Sequence, residues 1–341
     1  MLAPELRRSN ASKDAGISPV ERLHALVADD MRATDAMIHE RLGSTVNLIP
    51  DLARHLVDSG GKRLRPLLTL AAARMGGYSG ASHVKLAAAV EFIHTATLLH
   101  DDVVDESSLR RGKVSANIVW GNKPSVLVGD FLFSRAFELM VDAGGMEVLG
   151  VLARASSVIA EGEVMQLKSA NNLAATEEHY LQVVRAKTAA LFAAAAESGA
   201  MLASRPAGYV EALHCYGDNL GIAFQLVDDA LDYSGRQALM GKSVGDDFRE
   251  GKVTLPVILA YARADEAARK FWTRTIETGP QGESDLDRAI TLVEETGAIS
   301  QTMARARAYA DVACKALEAV APCETRDVLA AIADFCVERA Y

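Results

Sequence analysis

Long stretches of the 341-residue chain are rich in Ala, Leu, Glu and Met, which favour helix, while runs of alternating β-branched residues are scarce. Prolines punctuate it at 4, 19, 50, 66, 124, 206, 256, 280 and 322, so the intervals from Pro124 to Pro206 and from Pro206 to Pro256 contain none. No hairpin dipeptide lies between two alternating runs. The pattern predicts an all-α fold with roughly ten or more helices of ordinary length. One helix is expected to begin near Pro66, after Gly60-Gly61, and to end at Gly76-Gly77 and Gly80. Residues 82–106 predict one long buried helix, and Gly112 closes the Ser-rich loop behind it. Gly144-Gly145, Gly199, Gly217, Gly235, Gly241 and Gly245 predict further joints. No Ser/Gly tract, proline-rich spacer or charge block marks a linker, so residues 1–341 are expected to form a single domain, with residues 1–15 a loose tail.

Half of the residues are hydrophobic and 24% are charged, the balance of a globular chain. The formal net charge of −9 argues against a general nucleic-acid binder. Cys215, Cys314, Cys323 and Cys336 show no Cys-x-x-Cys spacing, so neither a zinc site nor a disulfide framework is expected. The N-terminus has no apolar signal-peptide core. No transmembrane segment is expected, because Lys187 and Glu197 interrupt the most apolar stretch, Ala186–Ala203. A cytoplasmic protein is expected.

The chemistry is concentrated in two similar segments. Residues 93–105 read IHTATLLHDDVVD and residues 220–232 read LGIAFQLVDDALD, each an apolar helix ending in Asp-Asp-x-x-Asp. At 100° per residue, Asp105 falls about 40° from Asp101, so His94, Thr97, Leu98, Asp101 and Asp105 share a face. Gly221, Phe224, Gln225, Asp228 and Asp232 do the same in the second segment. Carboxylates gathered at i,i+4 repel, and a hard divalent cation supplies a reason to gather them. Facing clusters of Asp101, Asp102 and Asp105 and of Asp228, Asp229 and Asp232 would hold Mg²⁺ ions around a diphosphate. A solvated acidic helix end explains one such motif, but two copies explain themselves less easily that way.

Basic residues flank both clusters. Lys62, Arg63 and Arg65 follow the Gly60-Gly61 pair, and Arg110-Arg111 follow the first cluster, where they suit bidentate grip on phosphate oxygens as well as plain pairing with Asp105 and Glu106. Lys187-Thr188 sits among alanines, where the lysine either snorkels to solvent or faces a polar cavity, the second being favoured. Lys242 and Lys252 flank Asp246-Asp247. By spacing alone, His94 reads as a core histidine rather than an anion ligand, and His100 falls off the cluster face. No Ser-His-Asp order or Cys-His pair suggests a covalent nucleophile.

The segments GGKRLRP, LLHDDVVDESSLRRG, VGDFLFSRAF, Lys187-Thr188, FQLVDDALDY and GKSVGDDFREGKVTLP resemble those of the trans-polyprenyl diphosphate synthase family, in family order over roughly residues 40–260. The resemblance implies an all-α bundle around a central cavity, usually a homodimer, that condenses isopentenyl diphosphate head-to-tail with an allylic diphosphate. It implies that both aspartate clusters bind the allylic diphosphate through three Mg²⁺. Lys62, Arg65, His94 and Arg111 match positions that hold isopentenyl diphosphate, which makes His94 a substrate ligand. Arg110, Lys187, Lys242 and Lys252 match positions contacting the allylic diphosphate, and Thr188 and Gln225 lie near the developing carbocation. The released diphosphate is implied to take the proton.

Ala96 and Thr97 stand where bulky aromatics stop elongation early in the family, with Ile93 deeper and Phe131 and Phe133 as candidate floor residues. Two small residues imply a deep tunnel and an octaprenyl to decaprenyl product, a precursor of the ubiquinone side chain. Release of a greasy product leaves a peripheral membrane contact open, and no basic amphipathic helix argues for one. The alternatives are a geranylgeranyl diphosphate synthase, a terpene cyclase or head-to-head synthase, and a non-catalytic subunit of a heteromeric synthase. GGKRLRP with Arg110-Arg111 speaks against the cyclase, and two whole aspartate clusters against the subunit. The C-terminal 80 residues match no motif.

Overall fold

The computed structural model describes residues 16–234 and 244–338. The expected tail and the expected joints at Gly235 and Gly241 lie outside those residues. The chain runs through α1 (Pro19–Leu26), α2 (Ala28–Arg41), α3 (Leu48–Val57), α4 (Leu64–Met75) and α5 (Ser82–Val104). A short hairpin of β1 (Leu109–Arg110) and β2 (Lys113–Val114) leads to α6 (Ala116–Trp120), α7 (Asn122–Ala143), α8 (Met146–Ser169) and α9 (Glu177–Val184). A π-helical turn, Arg185–Ala189, joins α9 to α10 (Ala190–Leu202), and α11 (Ala207–Asp232) returns beside it. Then follow α12 (Asp246–Arg249), α13 (Leu255–Ala262), α14 (Glu266–Trp272), a second π turn Thr273–Thr278, α15 (Asp285–Glu295), α16 (Ala298–Ala316) and α17 (Glu324–Glu338).

Local signals set several boundaries. Ser18 and Glu21 form a reciprocal capping box at α1, with Pro19 in the first turn. Arg63 enters α4 in a left-handed conformation, φ 49°, and Pro66 occupies the first turn. The long α5 stops at Val104, two residues short of the expected end. The hairpin corrects the expectation that none exists. Its turn residues, Arg111 and Gly112, both have positive φ, 52° and 75°, as a type I′ turn requires.

α5 packs along α7, and α11 packs between α10 and α16, so the two longest apolar stretches form the heart of one continuous buried cluster among the described residues. Two glycines expected as joints lie inside helices instead. A Cβ on Gly199 of α10 would stand 2.2 Å from the Thr69 carbonyl oxygen of α4. One on Gly217 of α11 would stand 2.5 Å from the Phe192 carbonyl oxygen of α10. These glycines mark close helix crossings, where backbone meets backbone, rather than chain reversals.

Gly217→Ala is therefore expected to lower the melting temperature, at a cost of about 1–3 kcal/mol for overpacking. Gly208→Ala, in the same helix with nothing within 4 Å of its Cβ position, is expected to leave stability unchanged or to raise it slightly. Calorimetric melting of the two variants beside the parent checks the contrast.

Candidate active site

α5 delivers the first aspartate cluster. The face drawn from the sequence, His94, Thr97, Leu98, Asp101 and Asp105, is partly accessible, whereas Thr95, Ala96, Leu99 and Asp102 are buried. The middle aspartate turns inward. Asp102 is fully buried, and one of its oxygens accepts from Nε and Nη2 of Arg110 at 2.7 and 2.5 Å. Its other oxygen is buried without a partner, and burial raises its pKa although Arg110 opposes this. The hairpin brings Arg110 to that position.

α11 delivers the second cluster. Asp229 is buried and accepts from the Tyr180 hydroxyl at 2.5 Å and from Gln225 Nε2 at 2.7 Å. Burial pushes its pKa to about 7 against those two hydrogen bonds. The Asp232 carboxylate accepts the backbone N–H groups of Asp246 and Asp247, at 3.3 and 3.1 Å, and so holds the start of α12. Burial brings it to about 6 despite these bonds. α12 is anchored by Phe248, buried against Phe271 and Trp272, and by Gln281, whose amide donates to the Phe248 carbonyl. Just beyond it, Lys252 reaches across to Asp105 at 2.8 Å and also pairs with Glu250. Burial works against the charge on Lys252, but Asp105, Asp247 and Glu250 raise its pKa.

Lys187 and Thr188 sit in the first π turn, the wider turn that often marks functional sites. Gly162 of α8 and Gly221 of α11 press on that turn. Added Cβ atoms would lie 2.8 Å from the Lys187 nitrogen and 2.6 Å from Ala189 Cα respectively. Lys187 Nζ lies 2.7 Å from Glu163 and 3.9 Å from Asp101. The Thr188 hydroxyl donates to Gln225 Oε1 at 2.9 Å.

Asp101, Asp105, Asp228, Asp229 and Asp232 border one cavity of about 1050 Å³, together with Arg110, Arg111, Lys187, Gln225 and Lys252. Thr188 borders an adjoining cavity of about 730 Å³ that shares Lys187, Gln225, Asp229 and Lys252. Lys62, Arg65 and His94 belong to a second group, on and before α4 and on α5. Arg65 donates to Nε2 of His94 at 3.3 Å and lies over the Phe192 ring. Burial, with Arg65 and Arg111, holds the His94 pKa well below the ordinary value, so the ring is neutral, accepts at Nε2 and carries its proton on Nδ1. Burial also lowers Arg65 to about 10. Lys62 stands over the Phe335 ring, 5.7 Å from its centroid. Arg111 donates to the Gly60 carbonyl and borders the main cavity, which links the two groups. Lys242 lies outside the described residues. Ala96 and Ile93 are buried, while Thr97 is partly accessible and bonds to the His94 carbonyl.

The carboxylates facing the main cavity fit Mg²⁺. The residues bordering it offer oxygen donors and no imidazole or thiolate. Burial raises Asp101, and burial with Asp229 and Asp232 raises Asp247, so a cation is the natural counterpart of the cluster. Among the described residues, no three such side chains converge into a ready-made cage. A Mg²⁺ that keeps its waters and shares phosphate oxygens needs none.

Sequence reasoning missed Glu163, Tyr180 and Glu91. Glu163 is raised to about 7 by burial and by Asp101, and Glu91 pairs with Arg63 at 2.9 Å. None of the three lies in a motif, and only their place in the fold brings them to the charged groups.

Residues 46–293 match the family model described as polyprenyl synthetase. The chain is 45% identical over 320 residues to the octaprenyl diphosphate synthase of Escherichia coli, covering 94% of this chain and 99% of that one. It superposes with a TM-score of 0.92 on a polyprenyl synthase of Caulobacter crescentus complexed with calcium and isoprenyl diphosphate, at 53% identity over 94% and 98% of the two chains. A decaprenyl diphosphate synthase of Rhodobacter capsulatus gives a TM-score of 0.91 at 56% identity, over 95% of this chain and all of that one. The all-α fold is the fold of those structures.

Arg110→Ala would leave Asp102 buried without its cation, and is expected to cost about 3 kcal/mol at pH 7. Removing the arginine raises the Asp102 pKa further above its unfolded value, so the folded state holds the proton more tightly. The deficit is then expected to shrink as pH falls from 7 toward 5, which urea unfolding of parent and variant at several pH values measures.

Proposed function

The chain belongs to the polyprenyl synthetase family, and from that premise we propose that it joins isopentenyl diphosphate head-to-tail to an allylic diphosphate, building a long all-trans polyprenyl diphosphate. One observation carries the proposal: the Asp-Asp-x-x-Asp ends of α5 and α11 border a single cavity with cationic side chains among them. The product lengths named for the similar chains, octaprenyl and decaprenyl, support a product of that size; its proposed use is as a precursor of the ubiquinone side chain.

Asp101, Asp105, Asp228 and Asp232 would hold Mg²⁺, three ions per site, as family members are generally Mg²⁺-dependent. Bound there, Mg²⁺ would neutralise the leaving diphosphate as its bond to the allylic carbon breaks. Lys187 and Lys252, already placed at 3.9 and 2.8 Å from Asp101 and Asp105, add preorganised positive charge on the same group. Arg65, Arg111, Lys62 and neutral His94 bind the second diphosphate, with Nδ1–H of His94 as a donor. The Thr188 hydroxyl oxygen turns electron density toward the allylic cation, and the apolar helices beneath exclude water from it. The proton lost on coupling goes to the released diphosphate.

Residues 1–341 are read as one domain. Exposed apolar side chains, Leu127 and Val141 on α7 and Met146, Val164 and Leu167 on α8, support a homodimer that would cover them. The four free thiols support a location in the reducing cytoplasm. No helix among the described residues is long and apolar enough to cross a membrane, and product release is read as a peripheral contact.

Labelled isopentenyl diphosphate, farnesyl diphosphate and Mg²⁺ are expected to give a dephosphorylated alcohol of forty to fifty carbons on reversed-phase chromatography, and none with a chelator; no Mg²⁺-dependent product would refute the activity. Asp101→Ala and Asp228→Ala are each expected to cut turnover about 100-fold or more while the melting temperature holds. Thr97→Phe is expected to shorten the product, and an unchanged length would sink the tunnel.

A further inference from the structure

The three aspartates of the second cluster are not equivalent. Asp228 and Asp232 border only the main cavity, whereas Asp229 stands in the wall between the two cavities and is held by two side chains, Tyr180 and Gln225, where Asp232 accepts from backbone N–H groups. Both Asp229 oxygens accept, one from Gln225 Nε2 and one from the Tyr180 hydroxyl. Gln225 presents its amide nitrogen to Asp229, which turns Oε1 the other way. Facing that oxygen, the Thr188 hydroxyl has to donate, and its lone pairs are left for whatever occupies the cavity. The direction of every bond in the chain Thr188 to Gln225 to Asp229 is thus set from its acidic end. That end is fixed by Tyr180, buried on α9, whose hydroxyl takes the remaining carboxylate oxygen at 2.5 Å.

We propose that Tyr180 and Asp229 are positioning residues: they orient the Gln225–Thr188 pair so that an oxygen, not a hydroxyl hydrogen, faces the developing allylic cation, and Asp229 is not a metal ligand. The inference rests on the proposed prenyl transfer. It assigns Asp229 a different task from the one its motif suggests. The first cluster offers a parallel, since its own middle aspartate, Asp102, is turned inward onto Arg110. In both motifs the middle carboxylate braces a neighbouring side chain, and the outer two face the cavity.

Tyr180→Phe removes one hydroxyl and keeps the buried ring. It is expected to lower kcat about tenfold, with KM for both diphosphates and the Mg²⁺ concentration for half-maximal rate within about twofold of the parent. Asp229→Asn serves as the second variant, and as the sole one should Tyr180→Phe not fold. Its amide can donate to Gln225 and reverse the chain, so kcat is expected to fall while the Mg²⁺ requirement again holds. The affinity of the Mg²⁺–pyrophosphate complex for each folded variant, read by calorimetry without turnover, is expected to match the parent. Parent-like kcat in Tyr180→Phe, or a Mg²⁺ requirement raised about tenfold or more in Asp229→Asn, would overturn the inference and leave the activity standing. An inactive parent in the same assay would overturn both.

Discussion

Among the described residues, eight carboxylates border one cavity in a bundle with a large, continuous apolar core. Two like charges 4 Å apart in such surroundings repel by roughly 4 kcal/mol, and burial adds to the cost of each. The layout of the site answers that repulsion. Lys187 approaches Asp101 from the π turn, Lys252 crosses from beyond α12 to Asp105, and Arg110 neutralises Asp102 from the hairpin. Asp232 is satisfied by the first N–H groups of α12. The groups that quiet the cluster are contributed by separate elements, so the site exists only when the whole bundle is assembled.

The same crowding is what a diphosphate reaction uses. A cavity that strains to hold its own negative charge takes up divalent cations readily and brings the leaving group's oxygens with them. The cations already present keep the apo protein tolerable, and they stand where the substrate's charge arrives. Arg65, Arg111 and a neutral His94, proposed to take the second diphosphate, form a different group, with Glu91 and Arg63 paired close by. An acidic cavity and a basic group of side chains are thus joined through Arg111, an arrangement that fits the proposed pairing of a metal-bearing substrate with a metal-free one.

Much of this was legible in the sequence because it is local. The apolar helices, their aspartate ends and the basic flanks are short patterns whose meaning needs only helical geometry. The face containing His94, Thr97, Asp101 and Asp105 emerged partly accessible for that reason. Other features depend on what a residue meets across the fold. Gly199 and Gly217 look like joints in one dimension and are helix crossings in three. Asp102 and Asp229 belong to metal-binding patterns, yet each is taken by a partner on another element, Arg110 or Tyr180. Glu163 stands in an ordinary run of helix formers, and nothing in its neighbours betrays that it meets Lys187. The Arg111-Gly112 hairpin escaped notice because its strands are two residues long and carry no alternation.

The π turn at Arg185–Ala189 also carries a consequence for how this segment tolerates change. One surplus residue in a helix offsets everything before it from everything after it by about 100° of rotation. That offset lets Tyr180 face Asp229 from one side of the turn while Phe192 packs on Phe224 from the other. The segment thus acts as a phase register between two halves of one rod. Conservative replacements leave the phase alone, but losing or gaining a single residue there would swing one half out of alignment with the cavity. Length is therefore a constraint on this stretch of the chain, in addition to the identities of Lys187 and Thr188.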